Sequence, residues 1–287
     1  MSDVASITIA VVSLVSSILT ALAGGWWAFY SEERKDRIQT ERLLRKYRDP
    51  LLLAAQDLQA RLYNVVGQAL VERFLERGQQ SDDGQQYKDA LYIYTAFLFG
   101  QYLCWVYILR RQTRFLCFTT QKKTSTKTLI ELLDCIASVL NTDKHTELPF
   151  RLWKGHQLAI GELMCVLEGD ELMCMGFSTF TRKWKEAESS SQEAVAFCNW
   201  FQPIVSGIKS MDEASKEGQK CPDDRLRRLQ HCLGDLVSAL DINGIRSLGT
   251  SSKIKDVPHC PCQDCQTSFK STKYQADVIS ARQGEIA

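Results

Sequence analysis

The first pattern along the chain is an absence. No residue from Val4 to Ser31 carries a charge, a stretch that includes the run ITIAVVSLVSSILTALAGGWWAFY. Such a stretch exceeds the roughly 20 residues that an α-helix needs to cross a hydrocarbon core of about 30 Å. Trp26, Trp27 and Tyr30 cluster at its end, where amphipathic rings favour the headgroup level. A cleaved signal peptide would need a basic start and a shorter apolar run. Only Met1, Ser2 and Asp3 precede this one. Residues 1–30 are therefore expected to be a retained transmembrane helix, with the lipid bilayer as its partner.

The pattern then becomes polar. Residues 31–48 (SEERKDRIQTERLLRKYR) carry the pairs Glu33–Arg37 and Glu41–Arg45, which support a helix at i,i+4 spacing. Ile38, Leu44 and Tyr47 leave only a thin apolar stripe. This segment is expected to be a charged juxtamembrane stalk continuing the membrane helix. Asp49-Pro50 reads as a cap followed by proline at a first helical position.

From there to 246 the periodicity is helical. It predicts helices over Leu51–Arg77, Tyr87–Phe118 and Thr124–Asn141, with a polar loop at 78–86. A further helix is expected to open at Pro149 and run to a loop at Glu168-Gly169-Asp170. Ser178–Ala187, Gln192–Met211 with a kink near Pro203, and a helix capped by Asp223 or Asp224 and closed by Asn243-Gly244 follow. Lys209–Pro222 reads as a linker. No strand alternation extends beyond five residues, and no repeat is visible. From 247 to 287 the apolar periodicity stops, which predicts a disordered tail. The expected fold is all-α: transmembrane helix, stalk, cytosolic helical bundle over 49–246, and tail.

The run Ala90–Leu109 (ALYIYTAFLFGQYLCWVYIL) is also uncharged and long enough to span. It contains Gln101 and ends in Arg110, Arg111 and Arg114, which two crossings would place outside. It is expected to be the buried central helix of the bundle.

Charge settles the orientation expected of the anchor. Seven cations, from Arg34 to Arg48, follow the first run and none precedes it. The positive-inside rule then puts the N-terminus outside and the bundle in the cytosol. None of the four Asn lies in an N-x-[ST] sequon, and the 11 Cys are an odd number scattered through apolar stretches. That is how reduced thiols look, not a secreted disulfide framework. Lys+Arg 35 against Asp+Glu 34 gives a net charge of +1, so the whole chain offers no electrostatic footprint for nucleic acid.

Four segments stand out in order: KYRDPLLLAAQDLQARLYNVV, LFGQYLCWVYILRRQTRFL, FRLWKGHQLAIGELM and RLRRLQHCLGDLVSALD. Together they resemble a family of uncharacterised bacterial and fungal proteins with a membrane helix followed by a helical domain. The resemblance covers about 46–250. It implies the domain limits and carries no chemistry.

The chain has no Walker loop, no G-x-G-x-x-G, no G-x-S-x-G and no H-E-x-x-H. No motif requires a cofactor. Arg48, Arg61, Asn64, Gln101, Arg110, Gln157 and Glu162 are polar groups amid apolar ones. A bundle could converge them into a pocket or use them as hydrogen-bonded register pins. Glu162 interrupts AIGELM and would need a cation if buried. In the first helix, Ser13, Ser17, Ala21 and Gly25 continue a small-residue stripe begun by Ser6 and Ala10. Such stripes let helix backbones approach, which makes homo-oligomerisation an expectation. In the tail, His259, Cys260, Cys262 and Cys265 have zinc-binding chemistry but lack the split spacing of a finger. Acylation of those thiols is an alternative. The best reading is a membrane-anchored interaction or scaffold module with an unknown protein partner; the alternative is an enzyme or small-molecule binder with a pocket between helices.

Overall fold

A computed structural model describes residues 2–80, 82–113, 123–143, 149–188, 192–219 and 223–241. Among the described residues the fold is all-α apart from one hairpin. Helix α1 runs unbroken over Ser2–Gly67, α2 over Leu70–Gln80, α3 over Gly84–Thr113, α4 over Lys123–Asn141 and α5 over Lys154–Leu163. Strands β1 (Cys165–Glu168) and β2 (Glu171–Cys174) follow, then α6 (Phe177–Glu188), α7 (Gln192–Asn199), α8 (Gln202–Lys216) and α9 (Asp224–Leu240).

The bundle is organised around α3, which touches α1, α2, α5, α6 and α8. Leu91, Phe99, Tyr102, Cys104 and Ile108 on this helix are all buried. Within it, Gly84–Gln112 is long and apolar enough to cross a membrane, and 78% of its apolar 18-residue stretch is buried inside the protein. α9 packs against both α1 and α4, presenting Leu226, Leu229, Leu233 and Leu236 at helical spacing to the core.

Several expected boundaries are corrected. No break occurs at Asp49-Pro50; Pro50 lies inside α1. Its missing N–H deprives one carbonyl of its partner, but Tyr47 before it and Leu51, Leu52 and Ala55 after it are all buried. Packing on both sides holds one helix axis through the proline. The helix expected to stop at Gly78 ends at Gly67 instead, where Ala69 has φ 49°. The polar 78–86 loop is mostly helical, because α2 continues to Gln80 and α3 starts at Gly84. There the Gly78 carbonyl sits where a Cβ on Gly84 would be, so two glycines permit the tight reversal.

Pro149 does not open a helix. Phe150 takes φ 59°, a left-handed conformation that costs a non-glycine residue about 1–2 kcal/mol. Burial of the ring offsets this: it stacks on Phe99 at 6.4 Å and faces Gly207, whose added Cβ would sit 2.6 Å from it. The helix expected to reach 167 stops at Leu163 and is replaced by an antiparallel hairpin in which Cys165 faces Cys174 and Glu168 faces Glu171. Gly169 takes φ 61° at the first of its two turn positions, as short hairpin loops prefer. Strands of four residues were too short to betray themselves by alternation. The kink near Pro203 is instead a full break between α7 and α8, with Pro203 in the first turn of the new helix. The expected 209–222 linker is helical to Lys216. Asn243-Gly244 and the expected tail over 247–287 lie outside the described residues.

Candidate functional site

A cavity of about 460 Å³ lies between α3, α4 and α5. That falls within the size range of small-molecule sites. Tyr102, Val106 and Leu133 form its apolar wall, while Arg110, Gln157 and Lys154 bring polar groups to it. Arg110 reaches across to α4 and pairs with Asp134 at 2.9 Å, both side chains being exposed. The amide nitrogen of Gln157 donates to the carbonyls of Ala137, at 3.0 Å, and Leu152, at 2.8 Å. Gln157 therefore ties α5 to α4. The backbone N–H of Lys154 donates to Asn141 Oδ1, reinforcing the same junction. Burial pushes the Tyr102 hydroxyl above its ordinary range, so it remains protonated.

Of the seven polar residues singled out in the sequence, the fold brings only Arg110 and Gln157 to this cavity. Arg48 makes long contacts, 3.4 Å, to neighbouring Asp49. Asn64 and Glu162 are exposed. Glu162 is thus not a buried carboxylate; its neighbour Gly161 is the residue pressed against α3, where an added Cβ would come within 2.8 Å of the Leu103 carbonyl oxygen. Gln101 is half-buried, and its amide oxygen has no hydrogen-bond partner.

Arg61 is a register pin. It is buried on α1, and its guanidinium donates to Thr95 Oγ1 at 2.9 Å and to the carbonyls of Ala90, at 2.7 Å, and Leu91, at 3.3 Å. Its charge centre lies 5.4 Å from the Tyr94 ring. Burial lowers its pKa to about 10, which leaves it charged at neutral pH. Arg225, not singled out in the sequence, does similar work. Its guanidinium donates to the carbonyls of Val139, Leu140 and Thr142 at 2.6, 3.3 and 3.1 Å, at the C-terminal end of α4. Those carbonyls belong to the turn that a helix cannot satisfy by itself, and a cation there also meets the negative end of the helix dipole. The available signal was position: Arg225 begins an i,i+4 series with Leu229, Leu233 and Val237.

Six cysteines among the described residues are free thiols. Cys104 on α3 lies within hydrogen-bond reach of Cys174 and Cys165 on the hairpin, and those bonds together with burial push its thiol up. Cys135 on α4 and Cys232 on α9 are 3.1 Å apart, Sγ to Sγ. His231 beside them is held below its ordinary pKa by burial, against the pull of Asp235. Among the described residues no group of three or more His, Cys, Asp or Glu side chains is arranged to hold a metal ion. His259, Cys260, Cys262 and Cys265 lie outside the described residues.

A different kind of surface occupies the first half of α1. Leu14, Leu19, Leu22, Trp26, Trp27 and Phe29 are exposed, Trp26 to 78% and Leu22 to 66%. Ser13, Ser17, Ala21 and Gly25 are exposed on the same rod. Two of its hydroxyls bond within the helix: Ser17 donates to the Ser13 carbonyl at 2.9 Å and Thr20 to the Ser16 carbonyl at 2.8 Å. At the far end of the stalk, Lys46 pairs with Glu171 at the hairpin turn at 2.5 Å.

No family model matches the chain, and no curated protein or solved structure is similar to it.

Proposed function

We propose that the protein is a membrane-anchored helical interaction module, held at a bilayer by the first half of α1. The observation that carries this reading is the division of one continuous helix. Its described side chains between Leu14 and Tyr30 are uncovered, and it is packed into the bundle from Tyr47 onward. An apolar patch of that extent on a soluble surface calls for a partner, and a hydrocarbon core fits its length. The internally bonded hydroxyls of Ser17 and Thr20 suit a medium without water. The 78% burial of the 18-residue apolar stretch in α3 supports the role of α3 as a core helix and a single crossing. Of the two flanks of the apolar run, only the stalk side carries cations, which favours an outside N-terminus and a cytosolic bundle. The four family-like segments agree with this arrangement, and the Ser13–Gly25 stripe makes a second copy of the helix a partner within the bilayer.

The test uses the whole chain in cells. It should resist alkaline extraction, and a glycosylation sequon introduced at 81–83 should stay unmodified. Release by alkali would end the anchor reading, whereas glycosylation would reverse the orientation.

The cavity supports a second reading, a binder of a small polar or anionic molecule. Native mass spectrometry of the purified chain would show the bound mass. Ala137→Trp, which fills the cavity, should abolish it.

A further inference from the structure

We propose that Cys135 and Cys232 form a reversible redox pair, joined into a disulfide by hydrogen peroxide so that α4 is stapled to α9. The two thiols lie 97 positions apart in sequence, yet their sulfurs are 3.1 Å apart. That is closer than ordinary van der Waals contact between sulfurs, and only about 1 Å of closure separates it from a bonded distance. Both are free, on helices that already pack side by side. The separation sets this pair apart from the hairpin thiols, which lie nine residues apart in sequence.

The two members differ in the way such a pair requires. Cys135 is the exposed thiol among those described, and Cys232 is half-buried. Burial pushes the Cys232 thiol up, and so do the neighbouring Cys135 thiol and Asp235, with Arg228 opposing. Cys135 is therefore the thiol that meets an oxidant from solvent, and Cys232 is the one that resolves the product.

The chemistry balances without any bound group. The Cys135 thiolate attacks one peroxide oxygen; the O–O bond breaks, hydroxide leaves and is protonated to water, and Cys135 becomes a sulfenic acid. The Cys232 sulfur, losing its proton, attacks the sulfenic sulfur; the S–S bond forms and a second water leaves. Two thiols lose two electrons and one peroxide becomes two waters. A dithiol reductant reverses the bond by exchange. The linkage closes a loop of almost a hundred residues, which restricts the unfolded chain strongly. It also fixes α4, whose other face, at Leu133, Ile136 and Ala137, walls the cavity.

The test takes the full-length chain in mild detergent, reduced, and then treats it with hydrogen peroxide. A non-reducing peptide map should show a peptide linked through Cys135 and Cys232 that dithiothreitol removes. The Tm should rise by at least about 4 °C in the oxidised form. Cys135→Ser and Cys232→Ser, which nearly preserve side-chain volume, should each abolish the link and the rise while keeping the helical spectrum. Three results would overturn the proposal: over-oxidation of Cys135 with no link, a link to another cysteine or another chain, or a pair already joined in protein isolated with its thiols blocked.

Discussion

At the scale of single residues, the bundle is pinned by buried guanidiniums that bond to backbone carbonyls. Arg61 reaches from α1 to the first turns of α3, and Arg225 from α9 to the end of α4. Each brings a fixed fork of donors to oxygens on a neighbouring helix, a geometry that lysine cannot reproduce. Arg225→Ala should therefore cost about 2–4 kcal/mol, combining lost charged hydrogen bonds with an unfilled volume. Arg225→Lys should recover only part of it. Urea unfolding followed by circular dichroism measures the loss, and hydrogen exchange should be faster at Val139–Thr142 than elsewhere in α4. Arg61 stood out in the sequence because it interrupts an apolar face. Arg225 did not, because it heads a segment with Arg227 and Arg228 beside it, and composition cannot say which of three arginines is 2% exposed. Glu162 shows the converse. A carboxylate between apolar neighbours looked buried, yet one residue of helical rotation leaves it in solvent and puts Gly161 against α3.

At the scale of elements, long periodic helices were legible and short or strained ones were not. α4, α6 and α9 fall within a residue or two of their expected limits at the described ends, because amphipathic spacing is a local property. The β1–β2 hairpin, the left-handed Phe150 and the uninterrupted passage of α1 through Pro50 depend on what lies across the core, which no window of neighbouring residues contains. Gly161 belongs to this class. α5 approaches α3 closely there, with the Tyr107 Cβ and the Leu103 carbonyl oxygen each 2.8 Å from where a Cβ would stand. Both obstacles are fixed atoms, so Gly161→Ala must push the helices apart. We expect a loss of about 1–3 kcal/mol, typical of overpacking, despite the better helix propensity of alanine. Gly155→Ala, on the same helix with open space around it, should be neutral or slightly stabilising, and paired thermal melts of the two variants distinguish packing from propensity. Of the candidate cavity, the sequence marked Arg110 and Gln157 as polar residues in apolar surroundings. It could not show that α4 would complete the cavity, since that depends on how separate helices pack together.

At the scale of the whole molecule, α1 joins an exposed apolar rod, a charged stalk and the bundle without a hinge. At about 1.5 Å per residue, its 66 residues extend roughly 100 Å. A shaft of this kind transmits angle as well as distance. Each residue of α-helix turns by about 100°, so one alanine inserted between 31 and 45 rotates the bundle about the shaft by that angle and lifts it only about 1.5 Å. Seven inserted residues restore the original heading to within about 20° and lift the bundle by about 10 Å. If the bundle meets partners fixed in the same membrane plane, its association with them should fall with one or two inserted residues and return with seven. Cross-linking in cells across such an insertion series would reveal that periodicity. A flexible tether would give a smooth dependence on length; a continuous helix makes the bundle a compass needle whose bearing is set at the far end of its shaft.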